Sequence, residues 1–122
     1  QQLSRILDSS PGLMLEPDLG WMHIAGADPA AYLTRYRDRC PVIHLKDCVP
    51  RPGEPAFAFR PVGYGVVNYP RMMGEILACR PEWLVADHDC AYERDPFDEL
   101  ALSRAYMKNL LALFAREGDG GV

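Results

Sequence analysis

The chain has no basic run, no Cys-x-x-Cys pair, no signal-peptide pattern at its start and no apolar stretch long enough to cross a bilayer. Each absence counts against a class of function. A formal net charge of −4, spread along 122 residues rather than gathered in blocks, leaves no electrostatic footprint for a nucleic acid. A membrane span takes about 20 consecutive apolar residues. None occurs, so no membrane partner is expected and the chain reads as soluble and cytoplasmic. Cys40, Cys48, Cys79 and Cys90 are spaced too irregularly for a zinc ribbon. They read as four reduced thiols used as small apolar fillers.

What is present is a 48% apolar composition, enough for one domain with a modest core and too little for two. The opening segment, QQLSRILDSS, reads as the tail of a helix and begins without a methionine, as a piece of a longer protein would. Strand signals then alternate with helix signals. Pro11-Gly12 marks a turn, and LMLEPD (13–18) reads as a short strand. Asp28 and Pro29 predict a helix start, as N-cap and first helical residue, with Leu33 and Tyr36 on one face. PVIHLKD (41–47) predicts a second strand. The stretch VPRPGEPAFAFRPVGYGV (49–66) is so rich in proline and glycine that it reads as an irregular loop. Asn68, Tyr69 and Pro70 open a helix that runs to about Cys79, and EWLVADHD (82–89) predicts a third strand. After the polar loop CAYERDP, a long helix is expected from about Asp98 to Glu117, stopped by Gly118. Leu102, Tyr106, Leu110 and Leu113 keep helical spacing along it.

Strands separated by helices imply a parallel sheet and an α/β fold, whose chemistry gathers at the carboxyl ends of the strands. Side chains alternate along a strand. Glu16 with Asp18, His44 with Lys46, and Asp87 with Asp89 therefore each share a face near a strand end. If the three faces point the same way, carboxylates and an imidazole converge, a donor set suited to Mn²⁺, Mg²⁺, Co²⁺ or Zn²⁺. Plainer readings stand beside this one. Asp18 and Asp89 are also good turn or cap residues, and His44 would serve as a core histidine. Lys46 would serve as the charge partner of Asp18 or Asp47. Trp21 and Trp83 read as packing residues, and Gly63 and Gly65 as turn glycines rather than a phosphate cradle.

The segment LEPDLGWMHIAGADPAAYLTRYRDRCPVIHLKD, followed by PVGYGVVNYP and EWLVADHDCAYERDPFDELALSRAYMKNL, resembles the carboxyl-terminal half of the sugar phosphate isomerase/epimerase superfamily. These are the xylose-isomerase-like TIM barrels. The resemblance runs colinearly from about Gly12 to Leu113. It implies a partial TIM (β/α)8 barrel: residues 1–122 as a single partial domain, with about three parallel strands equivalent to strands six to eight. It also implies one divalent metal ion at the mouth. Asp18 falls on the family's aspartate ligand and His44 on its histidine. Asp87 falls on the final glutamate ligand and is one methylene shorter. The remaining glutamate ligand would lie on a strand before Gln1. Trp21 takes a position where many members carry a substrate-side histidine, and Tyr64 replaces an acidic residue of the glycine loop.

On this resemblance the expected chemistry is sugar or sugar phosphate isomerisation or epimerisation. A divalent metal would stabilise an enediolate while a proton moves next to a carbonyl. Asp18, His44 and Asp87 are the expected metal ligands. Asp87 and Lys46 are the expected catalytic residues, and Trp21, Glu16 and Lys46 the expected substrate contacts. An inosose-type dehydratase uses the same metal and the same H-L-K-D signature. The DNA-endonuclease branch would need several metals and a basic surface. A non-catalytic barrel fragment, lacking the fourth ligand, is a further reading. Because three open parallel strands leave both edges unpaired, stability is expected to require the amino-terminal half of the barrel or association with another copy.

Overall fold

The computed structural model describes residues 2–92 and 94–118, so Glu93 of the predicted polar loop lies outside the described residues. Helix α1 (Gln2–Ser9) leads into an extended segment. Helices α2 (Leu19–Ile24) and α3 (Pro29–Arg35) and a 3₁₀ turn (Arg37–Arg39) come next. Strands β1 (Val42–Leu45), β2 (Asp47–Pro50) and β3 (Phe57–Arg60) follow, then α4 (Tyr69–Ala78), β4 (Trp83–Ala86) and α5 (Pro96–Gly118). Strands β1 and β4 pair in parallel, His44 opposite Val85, and β2 and β3 form an antiparallel hairpin. Together these elements make a small α/β fold.

The helix starts follow their caps. The Asp28 carboxylate accepts from the Ala30 and Ala31 amides at 3.0 and 3.3 Å, and Asn68 Oδ1 accepts from the Arg71 amide at 3.1 Å. Helices α3 and α4 pack on each other and on β1. Their inward residues Leu33, Tyr36, Met73 and Ile76 join Ile43 and Leu45 in the core. The alternation expected for β1 holds: Ile43 and Leu45 are buried toward the helices, while His44 is turned to the opposite side.

Several expectations are corrected. Residues 13–18 form no strand; a single parallel bridge joins Asp18 to His44, beside the bond from the His44 amide to the Pro17 carbonyl at 2.9 Å. Pro17 has no amide to give to a ladder, and the Leu13 carbonyl is taken by the Arg39 guanidinium, at 2.8 Å from Nε. Among the described residues the parallel sheet thus has two strands rather than three. The stretch 49–66 holds a hairpin instead of an irregular loop. Phe57-Ala-Phe-Arg alternates as a strand does, and its prolines lie at or beyond the ends of the paired segments. In α5 the buried residues are Glu99, Ser103, Met107 and Leu110, and Leu113 is exposed. Trp83 is 67% exposed rather than packed, because it lies on the same open sheet face as His44. Cys40, Cys48 and Cys79 are buried fillers, whereas Cys90 is exposed; all four are free thiols.

Lys46 is the single residue between β1 and β2, where the chain leaves one sheet for the other. There its amide donates to the Tyr69 hydroxyl and its carbonyl accepts from the same hydroxyl, both at 2.8 Å. The next residue, Asp47, is fully buried. Its carboxylate accepts from the amides of Cys48 and Val67 on one oxygen and of Gly63 and Gly65 on the other, at 2.9–3.0 Å. Burial, the larger influence, holds this carboxyl above its ordinary pKa despite the four amide donors. The glycine loop therefore wraps a carboxylate of its own chain, in keeping with the turn reading. Gly63, at φ +90°, occupies backbone space that favours glycine, and a side chain on Gly65 would strike Asp47.

Candidate metal centre

Three segments meet at the carboxyl end of β1. Asp18 precedes α2, His44 lies near the end of β1 with Lys46 just beyond it, and Asp87 and Asp89 follow β4. Because β1 and β4 run parallel with His44 opposite Val85, their next residues of the same alternation, Lys46 and Asp87, emerge side by side. The bridge from Asp18 to His44 brings in the third segment. One donor atom each from Asp18, His44 and Asp87 lies within 4.8 Å of the others. Two carboxylates and an imidazole at that spacing fit a divalent ion as three of its ligands.

The surrounding residues order these donors. Asp18 has both of the roles open to it: Oδ1 caps α2 by accepting from the Trp21 amide at 2.8 Å, while Oδ2 lies 3.2 Å from the Lys46 ammonium. Glu16, expected on the substrate side, lies with Oε1 2.6 Å from His44 Nε2, and His44 Nδ1 lies 3.4 Å from Asp87. A carboxylate on one ring nitrogen fixes which way the imidazole presents the other. His44 is partly exposed rather than enclosed in the aliphatic core.

Lys46 is the most buried charge of the group, its side chain 2% exposed. Its ammonium lies 2.6 Å from Asp89, 2.9 Å from Asp87 and 3.2 Å from Asp18. Burial alone would lower its pKa. Hydrogen bonds to the three carboxylates outweigh that and hold it above the ordinary lysine value. Burial likewise tends to raise Asp87, but Lys46 and then His44 bring it below the usual carboxylate value. Asp89, a loop residue or cap on sequence grounds, is thus a lysine partner, and it also accepts from Trp21 Nε1 at 3.2 Å.

An aromatic wall stands over the ammonium. The Trp21 and Phe59 ring centres lie 5.5 and 5.3 Å from Lys46 Nζ, within cation–π range. Trp21 meets Phe57 and Phe59 edge to face at 5.5 and 5.6 Å. The two phenylalanines, carried by the hairpin, and the buried pin Tyr69 are neighbours of the site that the sequence reading passed over. The alternation of Phe57 and Phe59 was the available signal, and the prolines around it hid the strand. Tyr64 is 54% exposed.

No protein-family model matches the chain, and no curated protein matches it in sequence. Among solved structures it is similar to a xylose isomerase domain protein from Planctomyces limnophilus, with a TM-score of 0.59 and 17% identity. The likeness covers 93% of this chain and 42% of that one, so the present chain spans less than half the length of the structure it matches. At that identity the likeness speaks to the fold. None of the described helices is long and apolar enough to cross a membrane. The described residues thus form a small α/β fold, consistent with part of a barrel, that is distantly similar to a xylose isomerase domain protein and carries a three-residue cluster able to hold a divalent cation.

Proposed function

We propose that this chain is the carboxyl-terminal part of a metal-dependent sugar or sugar phosphate isomerase or epimerase of the xylose-isomerase-like superfamily. The observation that carries the reading is the convergence of Asp18, His44 and Asp87 on one point at the carboxyl end of the parallel strands. Asp18, His44 and Asp87 would hold the ion, with Glu16 setting the imidazole. A divalent ion held there supplies positive charge against the negative charge that develops as a proton leaves carbon beside a carbonyl. Asp87, one of the converging carboxylates, is assigned to accept that proton. Lys46 supplies an ammonium to polarise or orient a substrate oxygen, and Trp21 closes the aromatic side of the mouth. The substrate class is a ketose or polyol ketone, and the amino-terminal part of the barrel, or a second copy, completes the wall.

The test is solvent exchange. With Mn²⁺ present, the complete protein is expected to incorporate deuterium from D₂O at the carbon beside the carbonyl of at least one ketose. His44→Ala should abolish that incorporation with the circular dichroism spectrum unchanged. Exchange that persists in the variant, or no exchange on any ketose of a broad panel, would sink the reading. One observation favours a second reading, a non-catalytic fragment: the cluster offers three ligands, with an ammonium already seated against two of them. Mn²⁺ binding without any exchange would favour it.

A further inference from the structure

The Lys46 ammonium and a divalent ion draw on the same two carboxylates. Nζ lies 3.2 Å from Asp18 Oδ2 and 2.9 Å from Asp87 Oδ2, and those two residues supply two of the three candidate metal ligands. An ammonium and a dication drawn to the same two carboxylates compete, because their mutual repulsion acts at a few ångströms in a largely desolvated setting. Lys46 has a third partner that is not one of the three ligands. Asp89 Oδ2 gives its shortest contact, 2.6 Å, and is itself held by Trp21 Nε1 at 3.2 Å. The Trp21 and Phe59 rings face the same ammonium. Asp89, Trp21 and Phe59 thus offer the ammonium contacts that use none of the three metal donors.

From this geometry we infer that Lys46 is an exchangeable resident cation. It neutralises Asp18 and Asp87 while no metal is bound, and it withdraws onto Asp89 beneath Trp21 and Phe59 when a divalent ion enters. The inference rests on the metal reading of the site and adds to it a residue that sets metal affinity and a residue that receives the displaced charge. Lys46 then opposes metal binding, and Asp89, a positioning residue, favours it by holding the ammonium aside. If Lys46 served instead mainly to hold the carboxylates in place, removing it would disorder them and weaken the metal.

The test is Mn²⁺ titration of the full protein, with free Mn²⁺ read by electron paramagnetic resonance. Lys46→Met should bind Mn²⁺ at least tenfold more tightly than the unmodified protein, and Asp89→Asn several-fold more weakly. Tight binding by Lys46→Met where the unmodified protein binds nothing would overturn the inference, since the ammonium would then block the site without withdrawing. Equal or weaker binding by a folded Lys46→Met overturns it while leaving the metal reading standing. No binding by any of the three proteins overturns both. Should Lys46→Met fail to fold, the unmodified protein still decides the matter. These 122 residues carry two lysines, Lys46 and Lys108, and in a ¹³C-lysine-labelled sample of the full protein each is assigned as the side-chain signal lost on its replacement by arginine. Saturating Mg²⁺ should move the Lys46 signal and leave Lys108 in place. Bound Mg²⁺ with an unmoved Lys46 signal overturns the inference.

Discussion

Removing one oxygen atom, in Tyr69→Phe, should cost this protein a large part of its stability. The ring is fully buried, and its hydroxyl satisfies both backbone groups of Lys46, receiving from the amide and donating to the carbonyl at 2.8 Å. Lys46 itself is 1% exposed, so water has no ready path to replace the hydroxyl. Phenylalanine keeps the ring and its packing, which leaves the two orphaned backbone groups as the main effect. Each buried unsatisfied group costs about 1–3 kcal/mol, so the pair costs about 2–6 kcal/mol. A domain of this size has roughly 5–15 kcal/mol in all. At about 3–6 °C per kcal/mol, the thermal midpoint should fall by roughly 6–36 °C. Thermal and urea denaturation followed by far-ultraviolet circular dichroism read the loss, with the exposed Tyr64→Phe as a control expected to stay within about 0.5 kcal/mol. A loss below about 1 kcal/mol for Tyr69→Phe would refute the reasoning, because the Lys46 amide and carbonyl would then have other partners.

Two further outcomes are expected. Asp47→Asn keeps one acceptor oxygen for Cys48 and Val67 but turns an NH₂ toward the Gly63 and Gly65 amides. It should cost about 2–6 kcal/mol, and amide hydrogen exchange should show lost protection at Gly63 and Gly65; unchanged protection there would contradict the assignment. Acidification isolates Asp87. Its pKa is lowered from 3.8 by Lys46 and His44, so its contribution to stability is present above about pH 4 and is lost as the pH falls through the lowered value. The gap in unfolding midpoint between the unmodified protein and Asp87→Asn should therefore be level near neutrality and shrink below pH 3.8. A gap that widens in acid would show that Lys46 does not hold Asp87 ionised.

Much of the fold was legible because it is locally encoded. Asp28-Pro29 and Asn68 before Pro70 are caps whose geometry needs only neighbouring residues, and both helices begin where those residues place them. The alternation of Ile43, His44, Leu45 and Lys46 likewise followed from the strand repeat alone. What failed depended on partners distant in sequence. Residues 13–18 had a strand's pattern, but the Arg39 side chain and a proline removed the bonds a second ladder would need. Phe57 to Arg60 had a strand's alternation, which counted for little until residues 47–50 supplied an edge to pair with. Trp83 looked like core because its size favours burial, yet its face of the sheet is open.

By itself the sequence settled which side chains share a face and which segments can start a helix, since the direction of each Cβ and the reach of a capping oxygen are properties of neighbouring residues. It placed Asp18, His44 and Asp87 near strand ends as ionisable groups of suitable chemistry. Only the tertiary structure decided that Lys46 takes Asp89 as its shortest partner, 43 positions along the chain, and that Trp21 reaches the same carboxylate across 68. Competition among cations for a carboxylate turns on a few tenths of an ångström between separate elements. Those distances are fixed by the register of β1 on β4 and by the packing of the hairpin beside them, to which no local rule has access.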